Sequence, residues 1–142
     1  MRRTAAGRFE LPVSAAEAIG FFTPEGERPW APGWDPQYPA GAVDESSGTI
    51  FTTAHGDGET IWVIVEIDRE SYAATYSRVT PGLHAGTVRV RCYEQPSSNC
   101  IVSVEYDMTA LDPNHPGALD AYDGESFASM IADWKRLVTA AV

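Results

Sequence analysis

Basic side chains are scarce in this sequence. Its 142 residues include 20 acidic but only 10 basic side chains, which gives a formal net charge of −10. Lys135 is the sole lysine, and the arginines are scattered without a cluster. Because such a surface repels phosphate backbones and anionic lipids, we expect no binding to nucleic acid.

Long apolar runs are also missing. No stretch approaches the roughly 18 apolar residues of a membrane-spanning helix. Met1–Arg8 has the charge of a targeting leader, but the apolar segment that would complete a secretory signal does not follow it. We therefore expect a cytoplasmic protein without integral membrane association.

Metal-binding and redox patterns are absent as well. Cys92 and Cys100 show no Cys-x-x-Cys spacing, so we expect two packing residues, with a hairpin disulfide as the alternative. The turn His55–Glu59 lacks calcium-loop spacing, and His84 and His115 also fall in predicted exposed turns. No nucleophile, phosphate-binding or dinucleotide motif occurs. The prediction is no metal and no cofactor.

What the sequence does have is enough apolar material for a core. Hydrophobic residues make up 44% of the chain. A domain of this size buries about two thirds of its unfolded surface and has room for a cavity. We predict one domain over residues 1–142.

The chain opens with a predicted strand at Phe9–Val13 and two short helices. The first helix, Ala15–Phe22, begins at a capping box of Ser14 and Glu17, whose side chains satisfy free backbone amides. Pro24 suits the first position of a second short helix.

From Gly48 onward, apolar residues alternate, which predicts successive antiparallel strands separated by turns. The predicted strands are Thr49–Ala54, Thr60–Ile67, Tyr72–Thr80, Gly86–Glu94 and Cys100–Leu111, with a possible further edge strand at Ala40–Asp44. Beyond Pro116 the spacing becomes helical and predicts a helix of about 25 residues, roughly 37 Å long.

One face of the predicted sheet is apolar. The turn Gln95–Asn99 sets Arg89 opposite Glu105 on a polar face and leaves an apolar row behind it. That row holds Val88, Val90, Cys92, Val102, Val104, Tyr106 and Met108, and its extension brings in Tyr72, Ala74, Tyr76, Arg78, Ile61, Val63, Val65, Ile67 and Phe51. A shift of one residue would invert any of these assignments.

This order predicts an α+β fold. A curved antiparallel sheet of six to seven strands wraps around the long C-terminal helix, with two short helices after the first strand. Because a curved sheet does not fill the space beneath it with its own side chains, we expect a pocket between the sheet and the helix.

The stretch Phe21–Pro36, FFTPEGERPWAPGWDP, resembles bacterial members of the SRPBCC superfamily. This helix-grip (START-like) group includes START lipid-transfer domains, polyketide cyclases and aromatases, birch pollen allergens and homologues of the Hsp90 ATPase activator. Further matching stretches are Thr60–Val63, Tyr76–Gly82, Gly86–Val88, Val104–Tyr106, Thr109–Leu111 and the helix bearing Trp134. The resemblance spans the chain and implies the fold, but this fold hosts both binders and enzymes.

The candidate pocket combines the aromatic stretch with the apolar faces. Its predicted lining is Trp30, Trp34, Phe51, Val63, Tyr76, Arg78, Val90, Tyr106, Phe127, Met130 and Trp134. Arg78 on an apolar face needs a carboxylate from the protein or from a ligand, unless it extends to solvent at the strand end. Trp30 and Trp34 either line the mouth or plug it as ordinary core.

Three functions remain open. The first is a binder of a hydrophobic or amphipathic small molecule with Arg78 or a tyrosine as polar anchor. The second is an enzyme of the polyketide cyclase or aromatase type using Arg78, Tyr76 and Tyr106, although no carboxylate or histidine is placed on the pocket face. The third is a protein-interaction module that resembles the Hsp90 activator homologues and uses the acidic surface. A homodimer is a further possibility.

Overall fold

The computed structural model describes residues 1–142 and shows one six-stranded antiparallel sheet packed against a long C-terminal helix. The strands are β1 (Arg2–Leu11), β2 (Ile50–His55), β3 (Gly58–Asp68), β4 (Ala73–Thr80), β5 (His84–Glu94) and β6 (Cys100–Ala110), and the α-helices are α1 (Ala15–Ala18) and α2 (Gly124–Ala141). The strand order is β1-β6-β5-β4-β3-β2, so β1 and β2 form the two edges.

The β5–β6 hairpin has the predicted register. Arg89 lies opposite Glu105, and their side chains approach to 3.9 Å on the outer face. The apolar row on the other face is buried along its whole length. The core of 25 buried residues extends from this row to α2 and includes Cys92 and Cys100 as free thiols.

The predicted inner face of β3 is wrong by one residue. Trp62 and Ile64 are buried, whereas Val63 pairs with Ser77 on the opposite face and Val65 is 48% exposed. A β-bulge between Ile64 and Glu66 shifts the register, so the alternation changes along the strand. Because every residue from 61 to 65 is apolar, the pattern alone did not show which set faces inward.

The first strand is longer than predicted. β1 begins at Arg2 because its small and polar N-terminal half pairs residue by residue with β6, where Arg2 also forms a 2.6 Å ion pair with Asp107. The predicted edge strand at Ala40–Asp44 is not formed. Instead, Gln37 makes an isolated bridge to Thr52 of β2.

The helical region after β1 is shorter than predicted. Ser14 caps α1 by accepting a hydrogen bond from the Glu17 amide at 3.2 Å, and a 3-10 helix, Ile19–Phe22, follows α1. The helix expected from Pro24 is a series of turns. Gly26 passes so close to the chain that a Cβ there would lie 1.7 Å from the Gly20 carbonyl oxygen.

The C-terminal helix starts later than predicted. Asp123 caps it by accepting a hydrogen bond from the Ser126 amide at 2.8 Å, and a 3-10 turn, Asp120–Tyr122, precedes it. With 18 residues, α2 is about 27 Å long. It crosses β1 closely, because a Cβ on Gly7 would lie 2.8 Å from Ile131. Neither helix combines the length and hydropathy needed to cross a bilayer.

Candidate functional site

The segment Phe21–Pro36 folds over the open end of the sheet and turns its tryptophans inward. The Trp30 indole N–H donates to the Phe21 carbonyl oxygen, and that of Trp34 donates to the Pro24 carbonyl oxygen, both at 2.8 Å. Prolines and turns keep the segment out of regular structure, so its own carbonyls are free to accept these bonds.

Arg28 holds this segment in shape. Its guanidinium donates to the carboxylates of Glu25 at 3.0 Å and Asp35 at 2.6 Å, and to the Pro36 carbonyl oxygen at 2.7 Å. Glu25 also accepts a hydrogen bond from the Tyr38 hydroxyl at 2.8 Å. These bonds fully engage Glu25 and Arg28 with each other and with the segment.

A small cavity lies beneath the segment, between the sheet and α2. Its volume is about 20 Å³, which is room for about one water molecule. The lining consists of Phe22, Glu27, Trp34, Phe51, Trp62, Tyr76, Val88, Val90, Tyr106 and Trp134. Only Glu27, Trp34 and Trp134 among these keep appreciable solvent exposure, so we take them as the mouth.

Aromatic rings form most of the cavity wall. Phe51 and Trp62 stack with centroids 5.6 Å apart and planes 5° from parallel, and Tyr76 meets both edge-on. The Tyr76 hydroxyl donates to the Phe22 carbonyl oxygen at 2.7 Å, and burial raises its pKa. Tyr106 also lines the cavity, and burial raises the pKa of its hydroxyl, while the neighbouring Arg78 side chain opposes that rise.

Glu27 places a carboxylate at this cavity. Unlike Glu25, it makes no side-chain hydrogen bond and no ion pair with the protein. Burial raises the pKa of Glu27 from an ordinary 4.5 to about 8. A carboxyl group of this kind can exchange a proton near neutral pH or bind a cation.

Arg78 is the second charged group in the interior. Its guanidinium carbon lies 4.6 Å from the centre of the Trp62 ring, and its buried Nε has no hydrogen-bond partner. Its charge opposes the effect of burial on the pKa of Tyr106 and of Tyr122. Arg78 therefore lies on the inner face, as predicted, with an aromatic ring as its neighbour.

The histidines come closer together than the sequence indicated. The rings of His55 and His84 are 6.1 Å apart, and His84 packs edge-on against Tyr122 at 5.7 Å. The expectation that His84 is exposed is wrong, because it is 4% exposed, and burial followed by the Arg78 charge lowers its pKa. No group of three or more His, Cys, Asp or Glu side chains is gathered as a metal site.

The predicted lining residues divide into three groups. Trp34, Phe51, Tyr76, Val90, Tyr106 and Trp134 line the cavity, while Trp30, Arg78, Phe127 and Met130 lie in or against the surrounding core. Val63 does not line it, because of the β3 register.

Four residues that line the cavity were not predicted from the sequence. Phe22 lies in a short helix, and Val88 belongs to the predicted inner row. Trp62 follows once the β3 register is corrected. Glu27 gave no periodic signal because it lies in irregular structure.

A second, more open depression runs between β1 and α2. Its volume is about 570 Å³, and its floor includes Phe9, Phe127 and Ile131. Lys135 lies at its wall, and no acidic residue lines it. Small residues on both elements, including Gly7, leave this space open.

No family model matches this sequence, and no curated protein matches it significantly. Solved structures do match. Major latex-like protein 151 of Panax ginseng is 14% identical with a TM-score of 0.70, covering 99% of this chain and 97% of that chain. Norcoclaurine synthase of Thalictrum flavum, solved with dopamine and hydroxybenzaldehyde, is 14% identical with a TM-score of 0.65. The match covers 97% of this chain and 87% of the synthase chain. XoxI of Bacillus cereus is 14% identical with a TM-score of 0.67, covering 97% and 94%.

These likenesses establish the fold. The chain has the helix-grip fold of these structures, which confirms the predicted architecture of an antiparallel sheet packed against a long C-terminal helix.

Proposed function

We propose that this protein binds a small amphipathic molecule in the cavity between the sheet and α2. The observation that carries the proposal is that Glu27, an acidic side chain at the mouth of an otherwise aromatic and aliphatic cavity, forms no ion pair in the protein, while Arg78 on the adjacent inner face has an unpartnered buried Nε. An ionised group that is partly removed from water is costly unless something pairs with it. A ligand with a polar group on an aromatic or aliphatic body would pair with Glu27 and fill the cavity.

Binding requires the mouth to open. The closed cavity of about 20 Å³ is far below the roughly 300 Å³ or more of typical ligand pockets. Trp34 and Trp134 are the partly exposed aromatic residues at the mouth, so their movement would connect the cavity to solvent. A ligand that binds only to the conformation with an open mouth would shift the population toward it.

A neutral phenol such as 4-tert-butylphenol is a suitable first probe, measured by isothermal titration calorimetry. We expect saturable binding with one molecule per chain. Val90→Phe should weaken it at least tenfold by filling the cavity, at a stability cost of about 1 to 3 kcal/mol.

Val65→Phe is the matched control, because Val65 lies 48% exposed at the bulge of β3. Its affinity should equal that of the unsubstituted protein. Absence of binding, or equal affinity of the Val90 and control variants, would contradict a ligand site in this cavity.

Acid–base catalysis on an aromatic substrate is a second candidate. The favouring observation is that Glu27, with its pKa of about 8, and the Tyr106 hydroxyl line one cavity. Glu27 can take up and return a proton near neutral pH, while the Tyr106 hydroxyl, whose pKa burial raises, would orient the substrate by hydrogen bonding. Turnover of an aromatic polyketide surrogate that is lost in both Glu27→Gln and Tyr106→Phe would support it, and turnover unchanged by both would refute it.

The structure gives little support to a protein-interaction module that uses exposed tryptophans. Trp30 is 6% exposed and Trp34 is only partly exposed at the mouth of the cavity, so the two tryptophans do not form a protruding aromatic surface. The acidic surface remains its only support, and we do not propose it.

A further inference from the structure

The mouth of the cavity carries an anionic group with no compensating cation. Arg28, the nearest basic residue in sequence to Glu27, is engaged by Glu25, Asp35 and the Pro36 carbonyl oxygen. Arg78 lies against Trp62 and forms no ion pair with Glu27. Glu27 is therefore free to accept a positive charge from outside the protein.

Aromatic rings line the same cavity as this carboxylate. Trp134 stacks on Phe22 at 6.0 Å, with planes 25° apart, and Trp34 packs edge-on against Trp62 at 5.6 Å. The face of an aromatic ring carries partial negative charge and attracts organic cations, with tryptophan the strongest. Carboxylate and rings thus favour the same kind of ligand group.

We infer that the ligand carries an ammonium group, held at the mouth between the Glu27 carboxylate and the rings of Trp34 and Trp134. This inference rests on the proposed function, because it names the ligand class of the same site. A carboxylate ligand at this end would be repelled by the ionised Glu27, whereas an ammonium group would stabilise the ionised carboxylate.

Proton binding at Glu27 gives this site a characteristic pH dependence. Only the ionised carboxylate attracts the cation, so affinity should rise about tenfold per pH unit below the Glu27 pKa of about 8 and then level off. The other groups that face the cavity are the hydroxyls of Tyr76 and Tyr106, whose pKa values burial raises. Among the groups that line the cavity, Glu27 is therefore the one that titrates in this range.

The test compares two probes of equal shape and different charge. They are (4-hydroxyphenyl)trimethylammonium and 4-tert-butylphenol, titrated calorimetrically at pH 6, 7 and 8. At pH 8 the cation should bind at least tenfold more tightly than the phenol, and its affinity should fall toward pH 6 while that of the phenol stays constant.

Glu27→Gln should abolish both the preference for the cation and its pH dependence. The control Glu66→Gln alters an exposed carboxylate on the outer side of the sheet and should retain both. The pH series on the unsubstituted protein tests the idea without any variant.

The failures are distinguishable. If both probes bind with equal affinity at every pH, the ammonium inference is wrong while the ligand site stands. If neither probe binds, the proposed function fails and the inference fails with it. A cation preference that persists in Glu27→Gln would also overturn the inference, because another group would then provide the charge.

Discussion

Replacing Glu27 by glutamine should remove a pH dependence of folding stability. In the folded protein the pKa of Glu27 is about 8, against an ordinary 4.5 in the unfolded chain. Between these values the folded state keeps a proton that the unfolded state releases, so stability falls as pH rises. The stabilising contribution of the bound proton is complete below about pH 4.5 and is lost by about pH 8.

The magnitude follows from the same pKa difference. At about 1.4 kcal/mol per pH unit, a change from 4.5 to about 8 corresponds to nearly 5 kcal/mol. Glu27 keeps part of its surface in solvent, which screens its charge, so we expect about 2 to 3 kcal/mol. Glutamine has nearly the same size and does not titrate.

Urea denaturation at pH 5, 6, 7, 8 and 9 measures this effect. The unsubstituted protein should lose about 2 to 3 kcal/mol relative to Glu27→Gln between pH 5 and pH 9. The contributions of the other titrating groups to the pH dependence cancel in this comparison, because both proteins contain them. Glu66→Gln controls for the loss of a carboxylate. A difference between Glu27→Gln and the unsubstituted protein that is constant across this range would refute the burial of an unpaired Glu27.

The fold makes three further predictions. Trp62→Ala should cost about 3 to 5 kcal/mol of unfolding free energy in urea titrations, while Val63→Ala on the outer face should cost clearly less; equal losses would contradict the β3 register. Gly86→Ala should destabilise by at least about 1 to 3 kcal/mol in the same assay, because its Cβ would lie 1.9 Å from a carbonyl oxygen of β6; an unchanged midpoint would contradict this close approach. Burial raises the pKa of Cys92 to about 12 and also raises that of Cys100, so Ellman's reagent at pH 8 should label neither thiol until the protein unfolds, and rapid labelling of the folded protein would disagree.

Glu27, which has no ion-pair partner at a cavity lined mainly by aromatic rings, lowers the stability of the protein when it is ionised. Isolated buried charges are usually paired or replaced, and departures from that rule concentrate at functional sites. Glu25 shows the contrast, because it lies two residues away and is paired with Arg28 and Tyr38. The difference between these glutamates is the strongest structural argument for a ligand at Glu27.

Local sequence patterns predicted the structure correctly where residues of one type recur at a fixed spacing or interact with close neighbours in sequence. The β5–β6 register follows from the turn at Gln95–Asn99 and from the alternation of polar and apolar residues on each strand. The Ser14 cap was also readable, because a capping side chain reaches an amide only three residues away. Such features depend on neighbours in sequence.

Local patterns failed where partners are distant in sequence. Nothing in Met1–Arg8 indicates a strand, because the pairing of β1 comes from β6 about a hundred residues later. In β3, a bulge and an unbroken apolar run concealed which side chains face the core. The start of α2 was also misplaced, because the helical spacing continues N-terminal to Asp123, the residue that caps the helix.

The sequence by itself determined the order of elements, the apolar face of the β5–β6 hairpin and the helix-grip architecture, because hydrophobic periodicity and turn residues are local properties. Only the tertiary structure decided which charged groups share the interior. Glu25 and Glu27 are chemically identical and lie in irregular chain without periodicity. The tertiary structure places Glu27 at the cavity beside Trp34 and Trp134 without an ion-pair partner, whereas it pairs Glu25 with Arg28.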